Sequence, residues 1–237
     1  MKEQAISGSM KMADLVASDP RSMVLVTRFG IDLGFGDQPI KRICQEKGIQ
    51  TDFFLLMVNI FLNPLYFPDK KLKNVDVKLL LTYLVNSHEY YTREKIPLIQ
   101  SLFSTFLARM DHPAKVQLER FFNEYIEEVI EHIEYEEKVA FPYIKELVSG
   151  EINPKINGKD KEYGISVFEE RHTNIEDKLS DLKNLLIKYF PPSSDRFLRI
   201  RIINELFDLE QDLANHARLE DQILIPVVEQ LEKQLNS

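Results

Sequence analysis

The chain has 237 residues, of which 44% are hydrophobic and 29% charged, and its formal net charge is −8. The length allows one large core and a small second domain, and the acidic charge argues against nucleic acid as a partner, because binding to phosphates depends on lysine and arginine. A single cysteine, Cys44, excludes an intrachain disulfide or a thiolate cluster. With no apolar run of about 20 residues and no secretory leader, we expect a cytoplasmic protein that does not enter a membrane.

Residues 1–70 are predicted to form a small N-terminal helical domain. Its apolar stretches are short, and the residues between them are of the types that end helices. These interruptions are Asp19-Pro20, the Gly30–Gly36 segment and Gly48, followed by Asn63-Pro64 and Phe67-Pro68 as a joint to the rest of the chain.

Residues 71–237 are predicted to form a four-helix bundle, so the fold class is all-α. Apolar residues recur every three or four positions, and nothing after about residue 72 alternates like a strand. The four helices are expected over about 74–110, 113–148 and 163–189, and from Ser193 or Ser194 to near the end. Each would contribute an apolar stripe to one core. The breaks between them are Asp111-His112-Pro113, Ser149-Gly150, the connection 151–161 and Pro191-Pro192.

Four histidines and two glutamates follow one spacing that is used twice. The first set is His88, His132 and Glu136, and the second is His172, His216 and Glu220. In each set the histidines are 44 positions apart and the glutamate follows by four, so all six superpose under one shift of 84. Because the chain has only five histidines, this coincidence indicates an internal duplication, each copy being one helical hairpin.

These six residues are predicted to bind metal. Residues four apart lie on the same face of a helix, so each second histidine and its glutamate can direct two donors at one point. Apolar neighbours indicate that His88 and His172 also face the core. Two carboxylates buried among histidines would be costly without a cation. Imidazole with bridging carboxylate suits iron or manganese; iron is favoured, and manganese or zinc is less so.

The donor set predicts a dinuclear centre with a free coordination position. If Glu136 and Glu220 both bridge, each iron receives two imidazole nitrogens and two carboxylate oxygens. A bridging oxo or hydroxo group would be a fifth donor, which leaves one octahedral position for a diatomic ligand such as NO or O2. By pseudo-twofold symmetry, His88 and His132 are expected on one iron, and His172 and His216 on the other.

Ferritin-type bundles are the nearest competing architecture, but they use Glu-x-x-His motifs on two helices. Only Glu169 with His172 fits that motif here. Pro142 and Pro226 each follow a predicted bridging glutamate by six. Because proline inside a helix costs about 3 kcal/mol and kinks it, we predict a paired distortion just past the site.

Other residues near the repeat are predicted to be structural. His112 has no counterpart under the shift of 84 and is interpreted as a surface residue. Cys44 has isoleucine neighbours and is interpreted as buried rather than reactive. The acidic residues around His132 are interpreted as a solvated helix face; they are Glu127, Glu128, Glu131, Glu134 and Glu137.

The repeat resembles the hemerythrin-like cation-binding domain, and more closely the di-iron family known for repair of iron centres. The resemblance covers nearly the whole chain, since that family also has a small N-terminal domain with an Asp-Pro-Arg-like opening and a Gly-Ile-Asp turn. Here these are Asp19-Pro20-Arg21 and Gly30-Ile31-Asp32. The resemblance implies a hemerythrin-like bundle in which all six repeated residues are di-iron ligands. A fifth histidine ligand of the oxygen carriers has no counterpart, which disfavours reversible oxygen transport.

The chain departs from that family at the adjacent cysteine pair after the Gly-Ile-Asp turn, where it reads Leu33-Gly34-Phe35-Gly36. The resemblance implies iron–sulfur cluster repair, or a nitrosative or oxidative stress response, with NO or O2 and a client iron–sulfur protein as partners. The alternatives are a non-enzymatic gas or redox sensor, which the missing cysteines favour, and an inert metal-storage protein. Enzymatic turnover and homodimer formation are left open.

Overall fold

The structure, a computed structural model, describes residues 6–63, 66, 75–151, 164–171, 175–189 and 195–235, without the side chains of residues 170, 171 and 175–177. Within these ranges every regular element is helical, and an isolated bridge joins Lys11 and Pro39. The all-α prediction is therefore confirmed. None of the helices in the described ranges is long and apolar enough to cross a membrane.

The elements are twelve α-helices and four wider π-helical turns within the described ranges. The α-helices are α1 (Met12–Ser18), α2 (Ser22–Arg28), α3 (Ile40–Glu46), α4 (Thr51–Leu62), α5 (Val77–Tyr90), α6 (Ile96–Ala108), α7 (Lys115–Tyr135), α8 (Phe141–Ser149), α9 (Ile165–Arg171), α10 (Ile175–Asn184), α11 (Arg196–Leu219) and α12 (Ile225–Leu235). The π-helical turns are Tyr91–Lys95, Glu136–Ala140, Leu185–Tyr189 and Glu220–Leu224. One π-helical turn lies within each of the four predicted long helices.

The chain divides into two compact units, Met1–Leu84 with Arg218–Gln230, and Val85–Ala217 with Leu231–Ser237. The domain boundary predicted near residue 70 adjoins residues 67–74, which are outside the described ranges, and it stays a prediction. The predicted joint at Pro64 and Pro68, the turns at Pro154 and Gly158, and the break at Pro191-Pro192 also lie outside those ranges.

The first unit packs short helices around buried aromatic rings. The ring of Phe29 lies 5.3 Å from that of Phe54 and 5.1 Å from that of Tyr83 on α5, centroid to centroid. Cys44 on α3 is fully buried, and this burial raises the pKa of its thiol to about 11. The interpretation of Cys44 as buried is confirmed.

The second unit has one continuous apolar core to which α6, α7, α10 and α11 all contribute. Phe103 on α6 stacks on Phe122 of α7 with ring centroids 4.2 Å apart. The buried side chains include Phe106, Leu118, Tyr125, Val129, Ile133, Leu179, Leu182, Leu206 and Leu209. These recur at helical spacing, which is why four amphipathic helices pack around one core.

Two predicted helix boundaries are found as expected. Gly150 ends α8 with φ at 76°, and the backbone N–H of Glu151 bonds to the carbonyl of Glu146, 3.0 Å away. Only glycine adopts this left-handed conformation readily. The break at residues 111–113 lies between α6 and α7, where His112 Nδ1 accepts a hydrogen bond from the backbone N–H of Ala114 at 3.1 Å. His112 is thus partly exposed and supports the start of α7.

The paired distortion predicted from Pro142 and Pro226 is confirmed. Each proline stands two residues after a π-helical turn that begins at the preceding glutamate of the repeat, Glu136 or Glu220. A proline has no N–H for the carbonyl four residues earlier, and its ring clashes with that carbonyl. The wider turn accommodates this, since the residue before the proline bonds instead to the glutamate carbonyl five residues back.

The same relationship occurs at Pro97, for which the sequence repeat predicted no distortion. Pro97 follows the π-helical turn Tyr91–Lys95, and the backbone N–H of Ile96 bonds to the carbonyl of Tyr91. Prolines inside these helices therefore mark π-helical turns, and the turn at Glu136 lies where predicted ligands are carried.

Candidate metal centre

Three residues of the repeat meet inside the second unit. His88 lies in the last turn of α5, Glu136 begins the π-helical turn after α7, and His216 lies near the end of α11. The helices place these side chains inward, since their exposed fractions are 1%, 0% and 6%. Glu220 follows His216 by four residues on the continuation of the same helix and is fully buried.

These four residues form a compact donor cluster. Each offers one ligand atom, and the four atoms lie within 4.8 Å of one another. His88 Nε2 is 3.1 Å from His216 Nε2 and 3.0 Å from Glu136 Oε2. The cluster therefore contains two imidazole nitrogens and two carboxylate oxygens, all shielded from solvent.

His132 contacts the cluster through Glu136. Its Nε2 lies 2.8 Å from Glu136 Oε1, and its side chain is 13% exposed. The two carboxylate oxygens of Glu136 thus face different histidines, Oε2 facing His88 and Oε1 facing His132. This is the arrangement of a carboxylate that can serve two metal ions.

The remaining residue, His172, lies outside the described residues. The symmetry argument paired His88 with His132, whereas the structure places His88 against His216. The pairing depends on how the helices pack against one another. The duplication determines where each histidine lies along its helix, but not which helices are neighbours at the histidines.

The donor distances fit a metal ion. Two donors bound at right angles about 2.1 Å from one six-coordinate metal are about 3.0 Å apart, close to the 3.1 Å and 3.0 Å around His88 Nε2. Two fully buried carboxylates, Glu136 and Glu220, would also be costly without a neutralising cation. Both the spacing and the charge of these donors therefore suit a divalent or trivalent cation.

The His88 ring is held by residues that are not in the cluster. Its Nδ1 lies 3.0 Å from Glu137 Oε1, and the ring stacks on Phe141, with centroids 5.6 Å apart and planes 5° from parallel. The hydrogen bond from His88 lowers the pKa of Glu137, with smaller contributions from Lys145 and Lys138, while partial burial opposes the shift.

A hydrogen-bonded tyrosine borders His216. The Tyr91 ring meets the His216 ring edge-on at 5.8 Å, and the Tyr91 hydroxyl donates to the backbone carbonyl of Asp212, 3.3 Å away. Tyr91 is fully buried, so it closes this side of His216 with an apolar surface whose polar end is satisfied.

The interpretation of Glu137 as part of a solvated face missed its contact with His88. Its side chain is 41% exposed, so the acidic pattern on α7 describes only part of its surroundings. The repeat held a signal: Glu137 shifted by 84 is Asp221, so both copies have an acidic residue directly after the glutamate.

Thiol chemistry has little support in the first unit. The segment that replaces the cysteine pair expected from the resemblance has an exposed Leu33, with Gly34 at φ 106° and Gly36 at φ 57°. The one cysteine is the buried Cys44, whose raised pKa keeps it protonated at neutral pH.

Comparison with known proteins identifies a family over most of the candidate bundle. Residues 81–228, more than half of the chain, match the model of the hemerythrin HHE cation binding domain. This stretch includes all six residues of the repeat.

Curated relatives extend the similarity to nearly the full length. The chain is 22% identical to the iron-sulfur cluster repair protein ScdA of Staphylococcus haemolyticus, over 92% of this chain and 97% of that protein. It is 25% identical to the iron-sulfur cluster repair protein YtfE of an Enterobacter species, over 91% and 94% of the two chains. The YtfE protein of Escherichia coli O81 is 23% identical over the same shares. Because the family model matches the helices that carry the His/Glu cluster, the chain belongs to the hemerythrin HHE cation-binding domain family.

Proposed function

We propose that this chain is a di-iron protein that acts in iron–sulfur cluster repair under nitrosative or oxidative stress. The observation that carries the proposal is the buried cluster of His88, His216, Glu136 and Glu220, whose donor atoms lie within 4.8 Å of one another. Its nitrogen and oxygen donors suit iron, and the absence of thiolates disfavours a structural zinc site.

The proposal assigns the donors to two metal ions. One ion takes His88 Nε2 and His216 Nε2, which face each other at 3.1 Å. The other takes His132, whose Nε2 faces the second oxygen of Glu136. His172 is assigned to the second ion on the strength of the sequence repeat alone. Glu136 and Glu220 would contribute carboxylate oxygens to both ions, and an oxo or hydroxo group would complete the centre.

The protein's own residues would hold this centre away from solvent. Two iron ions would supply a redox-active centre that cycles between ferrous and ferric states and has affinity for NO or O2. Phe141 stacks on one face of His88, Tyr91 meets the His216 ring edge-on, and both side chains are buried. This excludes water from the imidazoles and strengthens their electrostatic interactions with bound cations.

The names of the full-length relatives support cluster repair as the biological role. The client would be a protein whose iron–sulfur cluster has been damaged by NO or peroxide, and repair would involve iron supplied from the centre or NO removed by it. The expected cytoplasmic location is part of this proposal.

Metal analysis combined with absorption spectroscopy tests the metal assignment. The chain, loaded with ferrous iron without oxygen and then oxidised, should contain two irons and show the bands of a bridged diferric centre. Glu136→Gln should lose iron, since the Glu136 carboxylate contacts both His88 and His132. Glu134→Gln is the matched control: Glu134 is an exposed carboxylate two residues away that pairs with Lys138. One iron or none in the wild type, or unchanged iron in Glu136→Gln, contradicts the assignment.

Cluster reconstitution and genetic complementation test the role. Reduced, iron-loaded protein should restore the absorption of an NO-damaged [4Fe–4S] protein, and the gene should rescue a strain deficient in cluster repair. Glu136→Gln should fail in both assays, and Glu134→Gln should succeed. Rapid reaction with NO but no restoration in either assay would overturn cluster repair in favour of a sensor.

A further inference from the structure

One π-helical turn and the residue that follows it supply three contacts to the His88 ring. Glu136, the first residue of the turn, faces Nε2 at 3.0 Å. Glu137, the second, lies 3.0 Å from Nδ1. Phe141, whose backbone N–H closes the turn on the carbonyl of Glu136, stacks on the ring face. The imidazole is therefore clamped at both nitrogens and on one face by a single short segment.

From this geometry we infer that Glu137 is a positioning residue of the metal centre, which fixes the tautomer and orientation of His88 without binding metal itself. The inference rests on the metal centre proposed above. A carboxylate accepts hydrogen bonds, so Nδ1 is the donor and carries the proton. The lone pair of a neutral imidazole then remains on Nε2, which is the nitrogen directed at the cluster.

The atoms around Nε2 show why its lone pair matters for metal binding. Nε2 faces Glu136 Oε2 at 3.0 Å and His216 Nε2 at 3.1 Å. Oxygen and nitrogen lone pairs this close require a cation or a proton among them. Because Nδ1–H is hydrogen-bonded to Glu137, the lone pair of Nε2 is available to bind a metal ion. The negative charge of Glu137 increases the basicity of Nε2.

Glu136 and Glu137 are adjacent in sequence but have different roles, because their side chains point in different directions. Consecutive residues of a helix point roughly 100° apart, and here Glu136 approaches Nε2 of His88 while Glu137 approaches Nδ1. Glu136 is fully buried in the cluster, whereas Glu137 has a side chain that is 41% exposed and is not among the clustered donors. Glu137 therefore acts through His88.

The duplication gives an independent indication. Asp221 occupies the position equivalent to Glu137, directly after Glu220. Both copies of the repeat therefore have a carboxylate directly after the glutamate that is predicted to bridge. A carboxylate at this position is thus a feature of the repeated unit.

Iron retention is the first test, with Glu137→Ala, Glu137→Gln and the control Glu134→Gln compared in the full-length, iron-loaded protein. Loss of a carboxylate that orients a ligating histidine typically weakens metal binding about 10–100-fold, and this is the expected effect of Glu137→Ala in competition with a chelator. Glu137→Gln keeps an oxygen acceptor and should fall between Glu137→Ala and the wild type. If Glu137→Ala retains iron as well as Glu134→Gln does, the inference is wrong.

The protonation of His88 is the second test, and it does not depend on iron. In protein with ¹⁵N-labelled histidine, measured with and without Zn²⁺, the His88 Nδ1–H signal should be protected from solvent exchange. Glu137→Ala should remove that protection, and Glu134→Gln should leave it intact. An unprotected Nδ1–H in the wild type overturns the role of Glu137. A protected signal in a protein that takes up no iron would instead contradict the proposed function.

Discussion

The guanidinium of Arg218 donates a hydrogen bond to the backbone carbonyl of Ile60, 2.8 Å away. It also donates to the carbonyls of Asn63 and Tyr66, each at 3.2 Å. These carbonyls lie at and just beyond the end of α4, where the last helical carbonyls have no partner within the helix. Arg218 stands between His216 and Glu220 in sequence, so the helix that carries two predicted ligands also caps a helix of the N-terminal segment.

Replacing Arg218 should therefore destabilise the first unit. Hydrogen bonds from a charged donor contribute about 1.5–3 kcal/mol, so Arg218→Leu should lower the free energy of unfolding by at least that amount, measured by urea denaturation of metal-free protein. Arg218→Lys keeps the charge but loses the fork that reaches several carbonyls, and it should lie between Arg218→Leu and the wild type. The exposed Arg93, which pairs with Glu89 on the same helix, is the control. Its replacement by Leu should cost less than about 0.5 kcal/mol, and an equal loss in both variants would contradict the capping role.

Removing the metal should lower the thermal stability of the protein. A ligand that binds only the folded state at 1,000 times its Kd stabilises that state by about 4 kcal/mol. The unfolding temperature should therefore rise with ferrous iron concentration and fall when a chelator is added, followed by calorimetry. Glu136→Gln should abolish this dependence, and Glu134→Gln should keep it. A wild-type unfolding temperature that does not change with iron concentration would count against the metal centre.

The sequence could predict that His88, Glu136, His216 and Glu220 lie together, because the duplication repeats their spacing. The number of positions between His88 and His132 equals that between His172 and His216, and counting alone reveals this. Likewise, Pro142 and Pro226 revealed a distortion because proline cannot complete a regular helix. Such features depend on local chain chemistry, which a sequence displays directly.

The pairing of side chains across helices could not be read in this way. His88 meets His216, 128 positions away, and Arg218 meets Ile60, 158 positions away. Periodicity gives the face of a helix that is buried, but not its neighbour or its height against that neighbour. Glu137 was missed for a related reason, because its helix face is partly solvated while its carboxylate reaches His88.

The buried thiol of Cys44 should make the folded protein sensitive to alkaline pH. Burial raises the pKa of this thiol to about 11 from its ordinary value of 9.0. A raised folded-state pKa gives stability that is fully present below the unfolded pKa and is lost as pH rises through the folded pKa. The free energy of unfolding of the wild type, relative to Cys44→Ala, should therefore fall between about pH 9 and 11. Iodoacetamide at pH 8 should label Cys44 only after denaturation, and rapid labelling of the native protein would contradict its burial.

Replacing Pro142 should change stability little, although the proline lies within a long helical segment. In a regular helix interior, removing a proline would gain about 3 kcal/mol. Here Pro142 lies in the first turn of α8, after a π-helical turn, where its missing N–H is not needed. Proline also restricts the unfolded chain, so Pro142→Ala should lose about 0.4–1 kcal/mol in metal-free protein. The comparison is Ile144→Pro, which places a proline at a buried position of α8 and should cost about 3 kcal/mol or more. Urea denaturation measures both variants, and a gain near 3 kcal/mol in Pro142→Ala would mean that the proline strains the helix instead of fitting the π-helical turn.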